Sequence, residues 1–328
     1  MRPLSGRTEG VFVWKGERSV IQTPMDVLHQ FPVRKTKNQK QAFRDAVCDY
    51  AKSLSYPVQV EHGSYGSRNI IIGDPERAKY LVTAHYDTCA RLLLPNSLMP
   101  CNAVFVVLQQ AALWGGIIFL SAMTGAMAGL LLGEYAVVPV CCMMVFGIIA
   151  LMIAGPANSS NANDNTSGVV SLLEILRTMP ENQRHKVCFV LFDLEEAGLI
   201  GSSSYRKAHK TASDHQLVLN LDCVGCGDHL LMFPTKELKE NRKKLASLYK
   251  ACGYFGRKSL LVHEKGFGIY PSDQIVFPCG VGICALKKSK FGLYVGKIHT
   301  SRDTVLEETN VNILRAALTS LICCDAAQ

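Results

Sequence analysis

A long apolar block constrains this chain more than any other feature of its sequence. From Leu92 to Asn163 there are 72 residues, and Glu134 is the only charged residue among them. The centre of the block, Ala103 to Gly155, contains 53 residues with few polar breaks. Because one bilayer crossing takes about 20 apolar residues, this centre is long enough for two crossings and a short turn.

The apolar centre therefore predicts a helical membrane hairpin, with spans near 103–123 and 135–155 and a turn close to Gly133–Tyr135. The turn has an alternative position near 121–125, because glycines at 125, 129 and 133 would line one helix face for close packing. Two other placements stay open: a pair of helices buried in a large soluble core, and a hairpin that lies in or re-enters the membrane interface. We favour a membrane-spanning hairpin because soluble core helices seldom run this long without polar residues.

Charge predicts the side of the membrane on which the rest of the chain lies. All 35 Lys and Arg residues lie outside the block, and a two-span hairpin leaves both flanks on one side. Since positively charged flanks tend to stay in the cytoplasm, we predict an integral membrane protein whose domain outside the block faces the cytoplasm. The thirteen cysteines do not resemble a disulfide framework, and Met1–Gly16 has no apolar stretch typical of a signal peptide.

Outside the block, the chain has the composition and patterning of a soluble α/β domain. Of 62 charged residues, 61 fall in the 256 residues outside the block, about 24%, which is an ordinary value for soluble proteins. Continuous apolar runs alternate with helical patterns, which indicates a sheet buried on both faces. The predicted strands cover 58–61, 69–72, 80–84, 186–192, 217–221, 230–233 and 281–284, and the predicted helices cover 36–55, 167–179, 236–252 and 310–322.

These elements predict a three-layer α/β/α sandwich with a mostly parallel mixed sheet. Residues 1–91 and 156–328 would form one discontinuous domain, and residues 92–155 would form the inserted hairpin. The basic runs at 35–40 and 236–244 lack interleaved aromatic residues, so they favour solvated helix faces over a nucleic-acid surface. We therefore predict that the chain associates with a lipid bilayer and does not bind nucleic acid.

Acidic residues and histidines cluster at or just past the ends of predicted strands, where ligands of open α/β sheets collect. Taken singly, each has an ordinary explanation as a helix N-cap, a turn residue or a solvated strand exit. Together, two histidines and three carboxylates form a ligand set that suits two zinc ions, with Mn or Co as substitutes. The segments that carry them are His85–Asp87, Asn161–Gly168, Asp193–Gly198, Leu219–Asp222 and Lys297–Thr304.

In order and spacing, these segments resemble the motifs of the M28 family of zinc aminopeptidases. The family elements are His-x-Asp at a strand end, Asn-Asp-Asn/Ala-(Ser/Thr)-Gly, Glu-Glu-x-Gly-Leu-x-Gly-Ser, a strand-end Asp, Ser-Asp-x-x-x-Phe and His-Thr-x-x-Asp-Thr. The corresponding segments here are His85-Tyr-Asp87, Asn163-Asp164-Asn-Thr-Ser-Gly168, Glu195-Glu196-Ala-Gly-Leu-Ile-Gly-Ser202, Asp222, Ser272-Asp273-Gln-Ile-Val-Phe277 and His299-Thr-Ser-Arg-Asp-Thr304. The match covers nearly the whole chain outside the hairpin.

The resemblance implies a zinc-exopeptidase-like fold with two metal ions bridged by Asp164. One ion would be held by His85 and Asp222, and the other by Glu196 and His299.

The same resemblance implies roles for two further residues. Glu195 corresponds to the general base, which takes a proton from water and passes it to the leaving amine. Asp87 corresponds to the partner that fixes the imidazole of His85. The implied activity removes residues from a peptide or amide substrate with a free N-terminus. The hairpin lies between Asp87 and Asp164, so both of its ends are beside predicted site residues, and we expect the site to lie near the membrane surface.

Two rival functions stay open: a glutaminyl-cyclase-like acyltransferase with one zinc, and a catalytically inactive membrane receptor or scaffold of the same fold. The complete ligand set favours hydrolysis over the first, and the intact Glu195 favours it over the second. One departure from the family lies at Ile298, where some members carry an aromatic oxyanion donor. Tyr270 and Tyr294 are the candidates to replace it.

Overall fold

A computed structural model of the chain describes residues 20–92 and 97–324, so the prediction made for Met1–Gly16 lies outside the described residues. The strands in these ranges are β1 Val58–His62, β2 Arg68–Ile72, β3 Tyr80–His85, β4 Ser97–Leu98, β5 Val187–Phe192, β6 Leu217–Leu221, β7 His229–Pro234, β8 Gly253–Phe255, β9 Lys258–Val262, β10 Gly280–Ser289 and β11 Gly292–Gly296. The helices are α1 Asp26–Gln30, α2 Lys37–Ser53, α3 Ala103–Leu132, α4 Val137–Ala154, α5 Ser167–Thr178, α6 Ile200–Ala208, α7 Lys210–His215, α8 Lys236–Glu240, α9 Arg242–Tyr249 and α10 Glu308–Cys323.

One mixed sheet runs through the molecule in the order β1-β2-β5-β3-β6-β10-β7-β9-β8. Its four central strands, β5, β3, β6 and β10, are parallel to one another. Antiparallel strands flank them, with β2 beside β5 and β7 beside β10. The predicted fold class is confirmed, with parallel pairing concentrated in the centre of the sheet. This arrangement brings the carboxyl ends of β3, β5 and β6 to one edge.

Helices cover both faces of the sheet and complete the three layers. On β3, Tyr80 and Val82 pack into the larger core under α2, α5 and α10, whereas Leu81 points to the opposite face beneath Tyr205 of α6. Each fully buried aliphatic side chain contributes about 1.5–3 kcal/mol to folding. Helix α2 begins at a capping box formed by Thr36 and Gln39, which satisfies the first backbone N–H groups.

The predicted helix over 236–252 is wrong, because the chain forms α8 and α9 in its place. Asn241 lies between them, and its side chain accepts a hydrogen bond from the backbone N–H of Lys244 at 3.1 Å. An Asn side chain that caps a new helix competes with continuation of the preceding one. The break turns the chain from one short helix into the next.

The apolar block forms a helical hairpin whose first helix is longer than predicted. Helix α3 continues past residue 123 to Leu132, so the alternative turn near 121–125 is wrong. A short 3-10 turn over Glu134–Ala136 joins α3 to α4, which confirms the first turn position. A Cβ on Gly125 would lie 2.2 Å from the sulfur of Cys141, and one on Gly129 would lie 2.7 Å from Val137. These two glycines therefore allow close packing of the helices, as their spacing predicts.

Both hairpin helices are long and apolar enough to cross a membrane. Helix α3 buries Ile117, Ser121, Gly125 and Ala128, and α4 buries none of its residues, so the pair does not form a core for the described residues. At the base of the hairpin, Ala90 bridges Ala157. The Lys35 ammonium donates to the carbonyl of Ile153 at 2.9 Å and caps the end of α4.

The first hairpin helix is also tied to the sheet near its beginning. Asn102 caps α3 by accepting the N–H of Phe105, and its amide donates to the carbonyl of Phe291 at 3.0 Å. Just before this cap, β4 pairs with β11. A short piece of the segment predicted as hairpin, 92–155, therefore extends the sheet.

Candidate metal centre

The predicted site residues lie where the parallel strands end. His85 is the last residue of β3, Asp222 follows β6, and Glu195 and Glu196 follow β5 after a short turn. Asp164 precedes α5 in the segment that begins this helix. Six predicted side chains line one cavity of about 400 Å³: His85, Asp164, Glu195, Glu196, Asp222 and His299.

The two oxygens of Asp164 face two different histidines. Its Oδ1 lies 3.5 Å from the Nε2 of His85, and its Oδ2 lies 2.9 Å from the Nε2 of His299. The same His85 nitrogen is 3.7 Å from an oxygen of Asp222, and the same His299 nitrogen is 3.6 Å from an oxygen of Glu196. Asp164 thus stands between two groups of donors, each composed of one imidazole and one further carboxylate.

The chemistry of these donors fits bound divalent cations. Among the described residues, Asp222 Oδ1 and Glu196 Oε1 are buried and lack hydrogen-bond partners. Buried polar atoms without partners are costly, and so is a cluster of carboxylates without compensating charge. Potential ligand atoms of His85, Asp164 and Asp222 all lie within 4.8 Å of one another. Imidazole and carboxylate are common zinc ligands, so this donor set fits zinc.

Burial and neighbouring charges shift the proton affinities of these groups strongly. Burial by itself lowers the pKa of His299, but the neighbouring carboxylates of Glu196 and Asp164 together outweigh burial and raise the pKa to about 9. Burial raises the pKa of Glu196 to about 7. For Asp164, burial raises the pKa, but His299 and His85 outweigh it and hold the pKa below its usual range. Because metals bind the deprotonated forms, a metal entering this site would displace protons.

Asp87 fixes the backbone that carries both glutamates. Its Oδ1 accepts the N–H of Glu195 at 3.1 Å, and its Oδ2 accepts the N–H of Glu196 at 3.2 Å. The Oδ1 atom also lies 3.4 Å from the Nδ1 of His85. One carboxylate therefore contacts three of the predicted residues from behind the cavity, in the position expected of an orienting partner.

Asp303 is a positioning residue to which sequence reasoning assigned no role. Its two oxygens accept the backbone N–H groups of Asn163 and Asp164, each at 2.9 Å. Asp303 is 4% exposed, and burial raises its pKa to about 7. The sequence signal that could have identified Asp303 is its position in the His-Thr-x-x-Asp-Thr motif that begins at His299.

Arg34 and Cys89 were missed because each is isolated in sequence. Arg34 is fully buried and donates to the Tyr86 carbonyl at 2.5 Å and to the Thr166 hydroxyl at 3.1 Å. It therefore joins the segment after β3 to the segment before α5. The thiol of Cys89 lies within 4.8 Å of donor atoms of Glu196 and His299. Burial raises the pKa of this thiol, so it stays protonated in the absence of a metal.

The two candidates for an oxyanion donor occupy different places. Tyr270 lines the cavity together with Ile298, and its hydroxyl donates to the backbone carbonyl of Asp222 at 3.1 Å. Tyr294 lines a separate cavity of about 120 Å³ that also contains Asp303. Tyr270 is thus the tyrosine beside the metal-ligand candidates.

The hairpin contributes to the cavity directly, which sequence reasoning did not predict. Gln109 and Gln110 of α3 line it, together with Leu98. The N–H of Leu92, where the chain leaves towards the hairpin, donates to the carbonyl of His299 at 2.7 Å. His299 has a φ of +58°, a left-handed backbone conformation that is uncommon for non-glycine residues.

Comparison with known proteins places these observations in a family. Residues 149–321, more than half of the 328-residue chain, match the sequence model described as peptidase family M28. The match includes Asp164, Glu195, Glu196, Asp222 and His299, and begins after β3.

The fold is similar to those of several solved structures. A Zn-dependent exopeptidase from Parabacteroides distasonis is 15% identical, with a TM-score of 0.59 over 93% of this chain and 98% of that chain. A glutaminyl cyclase from Porphyromonas gingivalis is 16% identical, with a TM-score of 0.56 over 95% and 100%. The LapA aminopeptidase of Legionella pneumophila is 16% identical, with a TM-score of 0.54 over 99% and 78%. At these identities the similarity establishes a shared fold.

Proposed function

The chain belongs to peptidase family M28, and on this premise we propose that it is a zinc-dependent aminopeptidase that works beside a membrane. It would remove residues from peptides with a free N-terminus. The cavity of about 400 Å³ lies at the lower end of the range for small-ligand sites, which suits the end of a peptide.

The observation that carries the proposal is the position of Asp164 between two imidazoles. Its oxygens lie 3.5 Å from His85 and 2.9 Å from His299, so one carboxylate is shared by two donor groups. In the proposal His85 and Asp222 hold one zinc ion, Glu196 and His299 hold the other, and Asp164 serves both. Bound zinc would lower the pKa of a water molecule and polarise the scissile carbonyl, and Mn or Co would supply the same chemistry.

Glu195 is the proposed general base. Its Oε2 lies 4.0 Å from the Nε2 of His85, inside the donor cluster. Burial raises the pKa of Glu195 well above its ordinary value, and the positive charge of bound zinc would lower it, which would leave the carboxylate free to accept a proton. Glu195 would accept the proton of the attacking water and deliver it to the leaving amine. Asp87 supports this role by holding the Glu195 backbone and facing the His85 ring.

Membrane placement is a second part of the proposal. Helices α3 and α4 would cross the bilayer, and the discontinuous domain 1–91 and 156–328 would face the cytoplasm. The exposed apolar surfaces of α3 and α4 support this placement, because a large apolar surface left in water is unfavourable. The position of every Lys and Arg outside the apolar block supports the orientation.

The glutaminyl-cyclase-like and scaffold alternatives predict different products and metal contents. The shared fold does not separate them, because the similar structures include both a glutaminyl cyclase and an exopeptidase. The full-length protein should therefore be assayed with an aminoacyl chromophore and with a peptide that begins with glutamine. Zinc near two per chain with release of free amino acid supports the proposal. One zinc with release of ammonia would indicate the cyclase, and an inert, metal-free protein would indicate a scaffold.

The decisive variant is Glu195→Gln, which keeps the size of the side chain and removes its basic oxygen. We expect unchanged zinc content and a fall in kcat of about 10²–10⁴-fold, as for loss of a general base. Glu181→Gln is the matched control, because the Glu181 side chain is 86% exposed and distant from the cavity. Turnover of Glu195→Gln close to that of the control would show that Glu195 is not the base.

A further inference from the structure

The wall of the metal-centre cavity that the hairpin supplies contains two neighbouring amide side chains. Gln109 and Gln110 of α3 line the cavity that also contains the predicted zinc ligands. They are the only charged or amide side chains between Asn102 and Ser121. An amide on an apolar membrane helix is unfavourable in hydrocarbon. Facing the cavity gives these two residues a polar environment.

The packing of the hairpin places the two glutamines level with the end of α4, which would lie at the membrane surface if the hairpin crosses the bilayer as proposed. The thiol of Cys141 donates to the carbonyl of Ser121, and Gly125 also contacts Cys141. The end of α4 at Ala154 lies 13 residues beyond Cys141. The helices are antiparallel, so the same step back along α3 leads to residues 108–112. Gln109 and Gln110 are therefore level with the end of α4.

The length of the hairpin agrees with this height. From Gln110 to Leu132, α3 rises about 33 Å at about 1.5 Å per residue, close to the hydrocarbon thickness of about 30 Å. Trp114 follows one turn after Gln110, where aromatic residues commonly mark the membrane interface. In the proposed membrane placement, the turns of α3 before Gln109 would therefore stand beside the catalytic domain, above the bilayer.

We propose that Gln109 and Gln110 are specificity residues that hydrogen-bond the main chain of a membrane-anchored peptide just beyond its scissile bond. The inference rests on the proposed peptidase function and names its substrate class. An amide offers both a donor and an acceptor, which match the N–H and C=O groups of an extended peptide whatever its side chains. Because the amides lie level with the membrane surface, a peptide that they hold continues towards the bilayer within a few residues. Gln110 is the better placed of the two for this contact, because it is exposed whereas Gln109 is half-buried.

The test compares substrates with and without a main chain beyond the scissile bond. The full-length protein is reconstituted into phosphatidylcholine vesicles and assayed with an aminoacyl chromophore and with a peptide joined by a short spacer to a transmembrane anchor. The same anchored peptide with a spacer of about 20 residues is the control, because anchoring also raises the local concentration of this peptide at the vesicle surface. Gln110→Met keeps the length of the side chain and removes its hydrogen bonds. Val107→Met is the matched control, because Val107 lies one turn earlier on the same helix and is 65% exposed.

We expect Gln110→Met to raise KM for the short-spacer peptide about tenfold, with kcat changed by less than twofold. This magnitude corresponds to loss of one or two hydrogen bonds in binding. Activity on the aminoacyl chromophore and zinc content should stay within twofold of Val107→Met. An unchanged KM for the short-spacer peptide, or an equal loss on both substrates, overturns this inference alone. If wild-type protein hydrolyses neither substrate, the proposed peptidase function fails and this inference fails with it.

Discussion

Replacing Asp303 by Asn tests whether the loop that carries Asp164 is positioned from behind. Asp303 accepts two backbone N–H groups at 2.9 Å, one on each oxygen, and it is 4% exposed. Asn has one acceptor oxygen, and its NH₂ group would face the other N–H. The variant therefore loses one charge-assisted hydrogen bond, about 1.5–3 kcal/mol, and leaves a buried donor unpaired.

This loss should weaken zinc binding more than it weakens the fold. The two N–H groups belong to Asn163 and Asp164, so the orientation of the proposed shared ligand depends on them. Substitution of such outer partners typically lowers metal affinity about 10–100-fold. We expect this range for Asp303→Asn in a chelator competition assay of the full-length protein in detergent.

The control and a second measurement make the outcome decisive. Asp45→Asn changes an exposed carboxylate on α2 and should leave zinc affinity unchanged. Urea unfolding of the metal-free proteins measures how much of the effect belongs to the fold. If Asp303→Asn binds zinc like wild type, the argument that this carboxylate positions Asp164 is wrong, whatever its effect on unfolding.

Two further predictions concern the pH dependence of stability and the packing of the hairpin. Burial lowers the pKa of His209, but hydrogen bonds to Glu76 and Glu61 raise it above its ordinary value. This stabilisation is fully present below the unfolded pKa of about 6.5 and is lost as pH rises through the folded pKa. His209→Gln should therefore lower the free energy of unfolding by about 1–2 kcal/mol at pH 6. The difference between variant and wild type should shrink in a pH series above 6.5. A difference that stays constant with pH would contradict the ion-pair explanation. Gly125→Val should destabilise the hairpin by about 1–3 kcal/mol, because its Cβ would lie 2.2 Å from the facing cysteine sulfur. Gly116→Val is the control, because among the described residues nothing apart from the adjoining backbone of α3 lies within 4 Å of the added Cβ. Equal melting temperatures for the two variants in detergent would refute the packing argument.

The central strands could be predicted because a sheet buried on both faces requires continuous apolar runs. The strand predicted over 217–221 has the same bounds in the structure. The helix predicted over 236–252 failed because Asn241 caps a new helix, which apolar periodicity does not register. The end of α3 was predicted too early because bilayer thickness gives only the length of the part that would cross the membrane. The first turns of α3 pack beside the domain, so the proposed crossing begins and ends later in the sequence.

The site was predictable to the extent that topology controls it. Parallel strands end at one edge of the sheet, so polar residues at the ends of β3, β5 and β6 necessarily approach one another. Arg34 donates to the hydroxyl of Thr166, and Asp303 accepts the backbone N–H of Asn163; in each pair the two residues lie more than 100 positions apart in sequence. Gln109 could not be assigned to the cavity from the sequence for a different reason. The direction in which α3 leaves the domain decides whether the Gln109 side chain reaches the cavity.

The base of the hairpin has a consequence for the motion of the whole protein. A domain joined to a membrane by one flexible linker tumbles and presents its active site in every direction. Here two segments of chain leave side by side, held by the bridge between Ala90 and Ala157 and by the contact of Lys35 with α4. If the hairpin crosses a bilayer as proposed, this double connection would prevent rotation about the linker, and the mouth of the cavity would keep one orientation relative to the membrane plane. Encounter with a membrane-anchored substrate would then be a search in two dimensions with a nearly fixed angle of approach.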